Sequence, residues 1–305
     1  MVNSSHFLDI DHLDSSYLRK IIEVSKKIKK EVNFDAYRLL KGKTLAMLFD
    51  KPSTRTRVSF ELAMKQLGGD VVVLSQENTH LGKGKETVSD TAKVLSRYVD
   101  VIMIRTHAHN TLTDLANNSS VPVINGLTDK THPCQVLSDI MTYEEHRGNI
   151  KNAVITWVGD GNNVANSWIH AAQKFNFELR VSCPENLLPE PEIIKKAHRE
   201  ETKINLVKDP GLALKDADCI VTDTWSSMGE DENSEKFKQL KPYRIDSSLM
   251  SLAKSTAIFM HCLPANRNQE VDSSVIDGPQ SVVWDEAENR LHIQKGILLG
   301  CLGHL

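Results

Sequence analysis

Short apolar runs, each followed by a stretch of helical period, recur along this chain and constrain its fold more than any other feature. Thr44–Phe49, Val71–Leu74, Val101–Ile104 and Val121–Ile124 read as buried strands. A helix before them, Ser15 to Lys30, carries Leu18, Ile21, Ile22, Ser25 and Ile28 on one face. After the first strand, Val58, Leu62, Ala63 and Leu67 mark the apolar face of a second helix, stopped by Gly68-Gly69. Val88, Ala92, Leu95 and Val99 mark a third, over 86–98, and a short helix is expected near 112–117. Strand, helix, strand, helix in sequence order implies a parallel sheet covered on both faces. A helix from Pro133 to about His146, ended by Gly148-Asn149, then leads into a second series. Its strands are expected at 153–158, 178–182, 204–207, 219–222, 257–260 and 281–284, and a last helix at 285–305. The fold class is therefore α/β, with two doubly wound parallel-sheet domains linked by helices. The expected boundaries are 1–131 for the first domain, 132–148 for the linking helix and 149–286 for the second domain. The closing helix, about 287–305, is expected to pack back on the first domain. A length of 305 residues suits two domains of roughly 100–200 residues each.

Composition narrows the partners. Hydrophobic content of 40% and charged content of 25% are those of a globular, water-facing chain. A net charge of −3 argues against nucleic acid or an anionic membrane as partner, so any anion site must be a local gathering of Arg and His. The five cysteines, Cys134, Cys183, Cys219, Cys262 and Cys301, are scattered and form no C-x-x-C pair. That pattern points to a reducing, cytoplasmic setting and away from a disulfide framework or structural zinc. Met1 to Lys20 lacks the apolar core of a secretion signal, and no run has the length of a membrane span.

In parallel α/β sheets, ligands bind beyond the carboxyl ends of the strands. Lys51-Pro52-Ser53-Thr54-Arg55-Thr56-Arg57 sits at such an end and opens a helix, with Ser53 or Thr54 as N-cap. Free N–H groups, the helix dipole, hydroxyls and guanidinium groups together suit a tetrahedral oxyanion. An ordinary capped helix with exposed arginines fits the same seven residues equally well. Arg105 ends the third strand, and His132-Pro133-Cys134-Gln135 starts a helix at the same edge. The segment from His80 to Glu86, rich in glycine and lysine, reads as a surface loop. In the second series, Gly159-Asp160-Gly161 resembles a dinucleotide fingerprint, but Val164 stands at its third glycine position. With Glu185 as ribose acid, a nicotinamide dehydrogenase stays open as a rival; Asn162 and Asn163 fit better as amides facing a small polar ligand. Two later strands end in polar clusters, Asp223 to Gly229 and His261 to Ala265.

Ser53-Thr54-Arg55-Thr56-Arg57, His132-Pro133-Cys134-Gln135, Asp223 with Ser227-Met228-Gly229, and His261-Cys262-Leu263-Pro264 occur in this order and at these separations. Together they resemble the aspartate/ornithine carbamoyltransferase family, over about Lys43 to Arg290. The last two motifs are similar to its ornithine branch. The resemblance implies carbamoyl transfer from carbamoyl phosphate to the side-chain amine of L-ornithine, giving citrulline and phosphate, with the active site in a cleft between the two domains. It makes the first domain the carbamoyl-phosphate-binding one and the second the ornithine-binding one. It assigns Ser53, Thr54, Arg55 and Thr56 to the phosphate, and Arg105 and His132, with Thr56, to the carbonyl oxygen. Gln135 is assigned to the carbamoyl NH2, and Arg290 to a further contact with the same substrate. For ornithine, it assigns Asp223 to the α-ammonium, and Asn163, Ser227 and the Met228 N–H to the α-carboxylate. Cys262 and Leu263 are assigned to the reacting amine and the space beside carbamoyl phosphate. It also implies a homotrimer in which the His80 loop enters a neighbour's site. No cofactor and no metal are expected. His261 and Cys262 can trap a soft ion such as zinc, which is read as inhibition.

Two rival classes stand beside this one. The first is a carbamoyltransferase with another acceptor: putrescine, an acylated ornithine or aspartate. The second is a non-catalytic anion-binding protein on the same scaffold. Biosynthetic or catabolic use, assemblies above the trimer and the identity of the proton acceptor are outside what these residues specify.

Overall fold

The computed structural model describes residues 6–31, 38–51, 53–75, 86–225 and 234–305. The chain divides into two compact units, Met1–Leu137 with Arg290–Leu305, and Ser138–Asn289.

The first unit opens with α1 (Ser15–Lys30), whose buried residues are Leu18, Ile21, Ile22, Ser25 and Ile28, as the spacing predicts. It continues with β1 (Thr44–Phe49), α2 (Thr54–Gln66), β2 (Asp70–Ser75), α3 (Val88–Leu95), β3 (Val101–Arg105), α4 (His109–Asn118) and β4 (Val123–Leu127). The four strands form one sheet in the order β2-β1-β3-β4, with every pair parallel. Ala46, Leu48, Ile102, Ile104 and Val123 pack against Ala92, Leu112, Leu115 and Ala116 to form a core beneath it.

α5 (Pro133–Arg147) carries the chain across the boundary between the units, which falls after Leu137. The second unit contains β5 (Val154–Val158), α6 (Asn163–Phe175), β6 (Glu178–Ser182), α7 (Pro191–Arg199), β7 (Ile204–Leu206), α8 (Pro210–Leu214), β8 (Cys219–Thr222), α9 (Glu235–Leu240), α10 (Ser247–Met250), β9 (Ile258–His261) and α11 (Ser273–Ile276). Its sheet runs β7-β6-β5-β8-β9, again all parallel. Val158, Ile220 and Phe259 centre its core, packed by Ile245, Val271 and Val275. α12 (Val283–Cys301) returns the chain to the first unit at Arg290.

Several expectations are corrected. β2 is an edge strand rather than a buried one, with Val72 46% exposed, because among the described residues only β1 pairs with it. The buried face of α2 is Thr56, Phe60, Ala63 and Met64; Val58 and Leu62 point out, 49% and 42% exposed. β4 begins two residues later than expected and extends to Leu127, which makes Asn125 a strand residue. No strand forms at 281–284. Ser281 makes one bridge to Phe259, and helix begins at Val283, favoured by Asp285 and Glu286 in its first turn.

Each sheet has one place where strand order reverses direction. In the first it lies between β1 and β3, and in the second between β5 and β8. In open parallel sheets, ligands bind at such places, beyond the strands' carboxyl ends. The two candidate clusters occupy these places.

Candidate active-site residues

In the first unit, Ser53 is the N-cap of α2: its backbone is extended and its hydroxyl accepts the Thr56 N–H at 3.2 Å. Thr54 and Arg55 are the first two helical residues and are exposed. Thr56, one position on, is buried at 1% exposure and faces inward. The register places Phe49 opposite Arg105, so the chain leaving β1 runs beside the end of β3. Arg105 donates to the Thr56 hydroxyl oxygen at 3.4 Å, and Arg290 from α12 donates to the same oxygen at 3.4 Å. Arg290 also donates to Oε1 of Gln135. Thr56, Arg105, Gln135 and Arg290 thus form one connected group, and His132 lies within reach of its charge.

His132 is 5% exposed. Burial first, then the Arg290 and Arg105 guanidinium charges, hold its imidazole well below the ordinary histidine pKa. It is neutral at pH 7, and offers an N–H donor without adding charge. The turn carrying it is tied down from β4. Asn125 donates to the Leu8 carbonyl at 3.0 Å and the Thr131 hydroxyl at 3.2 Å, and the Cys134 thiol donates to the Asn125 carbonyl at 3.2 Å. Burial pushes that thiol up to about 12, so it is a structural donor and not a nucleophile. Among the described residues, no hydrogen bond or ion pair joins Arg55 to this group. The cluster is centred on Thr56, not on Arg55, because the helix turn that buries the third residue leaves the second in solvent.

In the second unit, β8 and β9 set the other cluster. Thr222 is the register partner of His261, so Asp223 and Cys262 come next on neighbouring strands. The Cys262 thiol donates to Asp223 Oδ1 at 3.0 Å, and the Thr224 N–H donates to the same oxygen at 2.8 Å. The Asn162 amide donates to Oδ2 at 2.7 Å. A carboxylate has roughly four acceptor sites, and these bonds leave about one on Oδ2. Burial first, then the Asp223 charge and hydrogen bond, push the Cys262 thiol well above its usual range. It remains a thiol at neutral pH, which argues against a cysteine hydrolase.

Asn162 is not a free ligand group. Its Oδ1 caps α6 by accepting the N–H groups of Val164 and Ala165, and its Nδ2 holds Asp223. Asn163, the first helical residue of α6, is partly buried beside it. The glycine turn does not open a phosphate path. A Cβ on Gly161 would lie 2.3 Å from the backbone nitrogen of Pro189, and its N–H already donates to the Leu187 carbonyl at 2.8 Å. The close approach serves the chain's own 187–189 segment, which removes the dinucleotide reading.

Leu263 is partly buried against the second unit's core. Asp223, His261 and Cys262 offer metal-ligand atoms close together. However, His261 Nδ1 accepts the Leu263 N–H at 2.9 Å and Nε2 faces Glu270 at 3.2 Å, so an ion would have to displace a buried bond. His80, Ser227 and Met228 lie outside the described residues. Sequence reasoning did not single out Asn125, Glu270, Glu286 or Asn266, which hold these clusters in place; they belong to no motif and become visible only through their partners.

Residues 5–145 match the family described as aspartate/ornithine carbamoyltransferase, carbamoyl-P binding domain, and residues 151–301 match its Asp/Orn binding domain. The chain belongs to the aspartate/ornithine carbamoyltransferase family. Among its relatives, the ornithine carbamoyltransferase of Nitrobacter winogradskyi is 54% identical over 98% of this chain and 97% of that one. The ornithine carbamoyltransferase of Rhodopseudomonas palustris is 55% identical over 98% and 96%. The ornithine carbamoyltransferase of Pyrococcus furiosus has a similar structure, with a TM-score of 0.93 at 46% identity, covering 99% of this chain and 98% of that one. The anabolic ornithine carbamoyltransferase of Campylobacter jejuni gives 0.91 at 38%, covering 99% and 100%.

Proposed function

We infer that this chain is an enzyme that transfers the carbamoyl group of carbamoyl phosphate to the side-chain amine of L-ornithine, yielding L-citrulline and phosphate. The neutral amine nitrogen attacks the carbonyl carbon, a tetrahedral oxyanion forms, and the bond to the phosphate oxygen breaks. The amine's proton leaves with the phosphate. The observation that carries this reading is the convergence of Arg105 and Arg290 on Thr56 beside a neutral, buried His132. Such preset donors suit a carbonyl oxygen that gains charge, and one donor of this kind is typically worth about 3–4 kcal/mol of barrier. Ser53, Thr54 and Arg55 present the N-terminus of α2 to the phosphate. Gln135 receives the carbamoyl NH2.

In the second unit, the open acceptor site on Asp223 takes the ornithine α-ammonium. Asn163, with Ser227 and the Met228 N–H, takes the α-carboxylate, and Cys262 with the Leu263 carbonyl borders the reacting amine. The C. jejuni neighbour, described as anabolic, favours the direction of arginine synthesis. We also propose a homotrimer in a cytoplasmic setting. Val58 and Leu62 lie four apart on the outer face of α2, and Val72 lies on the edge strand beside it, all exposed. These residues suit contact with a second copy, and the His80 loop would then complete the neighbour's site. No helix among the described residues is long and apolar enough to cross a membrane.

The test is direct. Purified protein given carbamoyl phosphate and ornithine should release citrulline and phosphate in equal amounts. Phosphate release without citrulline would identify a hydrolase, and no turnover would favour an anion-binding protein.

A further inference from the structure

The segment after β9 adopts a conformation that its own sequence does not favour. Leu263 has φ 56°, in the left-handed region, where a Cβ crowds the following carbonyl. Such a residue persists only where its surroundings over-determine it. Here the surroundings are a buried clasp. His261 Nδ1 accepts the Leu263 N–H at 2.9 Å, so that nitrogen carries no proton and the ring is neutral with its proton on Nε2. Nε2 donates to Glu270 Oε1 at 3.2 Å, and the side chains of both residues are 0% exposed. The same Glu270 oxygen accepts the Asn266 N–H, so one carboxylate oxygen grips the segment at both ends. Glu286 holds the root by accepting the His261 N–H at 2.8 Å. On the far side, the Asn266 amide donates to the Thr224 hydroxyl at 2.9 Å, next to Asp223.

We propose that His261 and Glu270 are positioning residues for the transfer reaction: their clasp fixes the left-handed Leu263 and thereby aims the Cys262 thiol and Leu263 carbonyl at the Asp223 side of the site. The clasp touches no substrate. It acts through Cys262 and Leu263, so the inference rests on the reading that these two residues border the reacting amine. Two features favour a positioning role over plain packing. Burial obliges any histidine to match its ring nitrogens, but this one matches Nδ1 with the backbone N–H of the left-handed Leu263, two residues on. A carboxylate buried at 0% exposure is costly, and here its hydrogen bonds hold Asn266 and the ring of His261, which in turn holds the Leu263 N–H.

Isosteric variants separate the two ends of the clasp. His261→Asn keeps an acceptor near Nδ1 for the Leu263 N–H, whereas His261→Gln keeps a donor near Nε2 and leaves that N–H unmatched. Glu270→Gln keeps the shared oxygen; Glu270→Leu removes it. Two readouts are taken on the full-length enzyme: the rate at which iodoacetamide alkylates Cys262, followed by peptide mass spectrometry, and KM and kcat for each substrate. The other four cysteines are buried, which makes the alkylation specific. In His261→Gln and Glu270→Leu, alkylation should rise roughly tenfold and kcat/KM for ornithine should fall roughly tenfold, the scale of one lost hydrogen bond. The KM for carbamoyl phosphate should stay within about twofold, and His261→Asn and Glu270→Gln should recover most of both losses. If Glu270→Leu does not fold, the two polar His261 variants carry the comparison. Alkylation unchanged in His261→Gln overturns the clasp, whatever happens to turnover. Faster alkylation with unchanged ornithine kinetics overturns the reading of Cys262 beneath it, and the inference with it.

Discussion

The thiol of Cys262 donates a 3.0 Å hydrogen bond to the carboxylate of Asp223, the two residues following register partners on adjacent parallel strands. This contact links the strand proposed to hold the α-ammonium of the acceptor to the strand proposed to border its reacting amine. It also keeps the carboxylate turned, so that about one acceptor site stays open for a cation.

Replacing Asp223 with Asn should therefore strike one substrate only. The shape and the thiol's acceptor survive, while the charge is lost. A charge-assisted hydrogen bond contributes about 1.5–3 kcal/mol, so kcat/KM for ornithine should fall by roughly ten- to 150-fold. Steady-state kinetics should show the KM for carbamoyl phosphate nearly unchanged; an equal loss for both substrates would contradict the assignment.

Asn162 caps α6 and holds Asp223 at once, and two substitutions divide these tasks. Asn162→Ala removes both, and loss of the cap should lower stability by about 1 kcal/mol in denaturant titrations. Asn162→Asp retains a good cap but sets a carboxylate against Asp223. Its stability should stay closer to the parent's, while its ornithine KM rises. Parent-like ornithine kinetics in Asn162→Asp would show that Asn162 does not set the carboxylate.

The hydroxyl of Thr56 is the common acceptor for Arg105 and Arg290. In Thr56→Val the shape is kept and both guanidinium groups lose that anchor. The loss should appear in kcat, by roughly 10–100-fold at about 1.4 kcal/mol per factor of ten, with the ornithine KM little changed.

His132 gives a pH prediction with a definite sign. Burial and two neighbouring guanidinium groups disfavour the imidazolium, so the folded-state pKa lies well below 6.5. The neutral form, which donates without adding charge, persists as pH falls through 6.5, where an exposed histidine would protonate. Proton NMR of the ring should show no titration of His132 between pH 8 and about 6. The linkage follows: the unfolded chain takes up the proton first, so this group's contribution to stability is full above the unfolded pKa and declines as pH drops below it. A ring titrating near 6.5 would contradict the buried donor.

Much of this architecture is legible in the sequence, for reasons visible in particular residues. β1, α1 and β8 were readable because an apolar run or a 3.6-residue stripe coincides with full burial on the expected side. Val58 and Leu62 misled, because apolar residues at helical spacing mark a sticky face without saying whether the chain's own core or another molecule covers it. The run 281–284 misled because its three apolar residues, Val282, Val283 and Trp284, suit either a strand or a helix start, and the acidic residues that follow decide for the helix. Of the gripping residues, Thr56, His132, Gln135, Asp223 and Cys262 sat in recognisable motifs, whereas Arg105 and Arg290 lay outside them. The residues that hold them in place sat in none: Glu270 and Asn125 are defined by partners distant in sequence or in an adjoining loop, and no spacing rule encodes that. Asn162 was legible as polar and near the site, but its capping geometry claims both ends of its amide.

Acceptor choice tests the account most directly. The measurement is kcat/KM for ornithine, putrescine, an Nα-acylated ornithine and aspartate at saturating carbamoyl phosphate, read as ureido product. A site that grips a free α-ammonium and α-carboxylate with buried polar groups should prefer ornithine over each of the others by about 10³-fold or more, since unmatched partners are costly. Comparable turnover with putrescine or the acylated substrate would show that Asp223 and Asn163 do not read the amino-acid end, and the assignment of the second unit would fail.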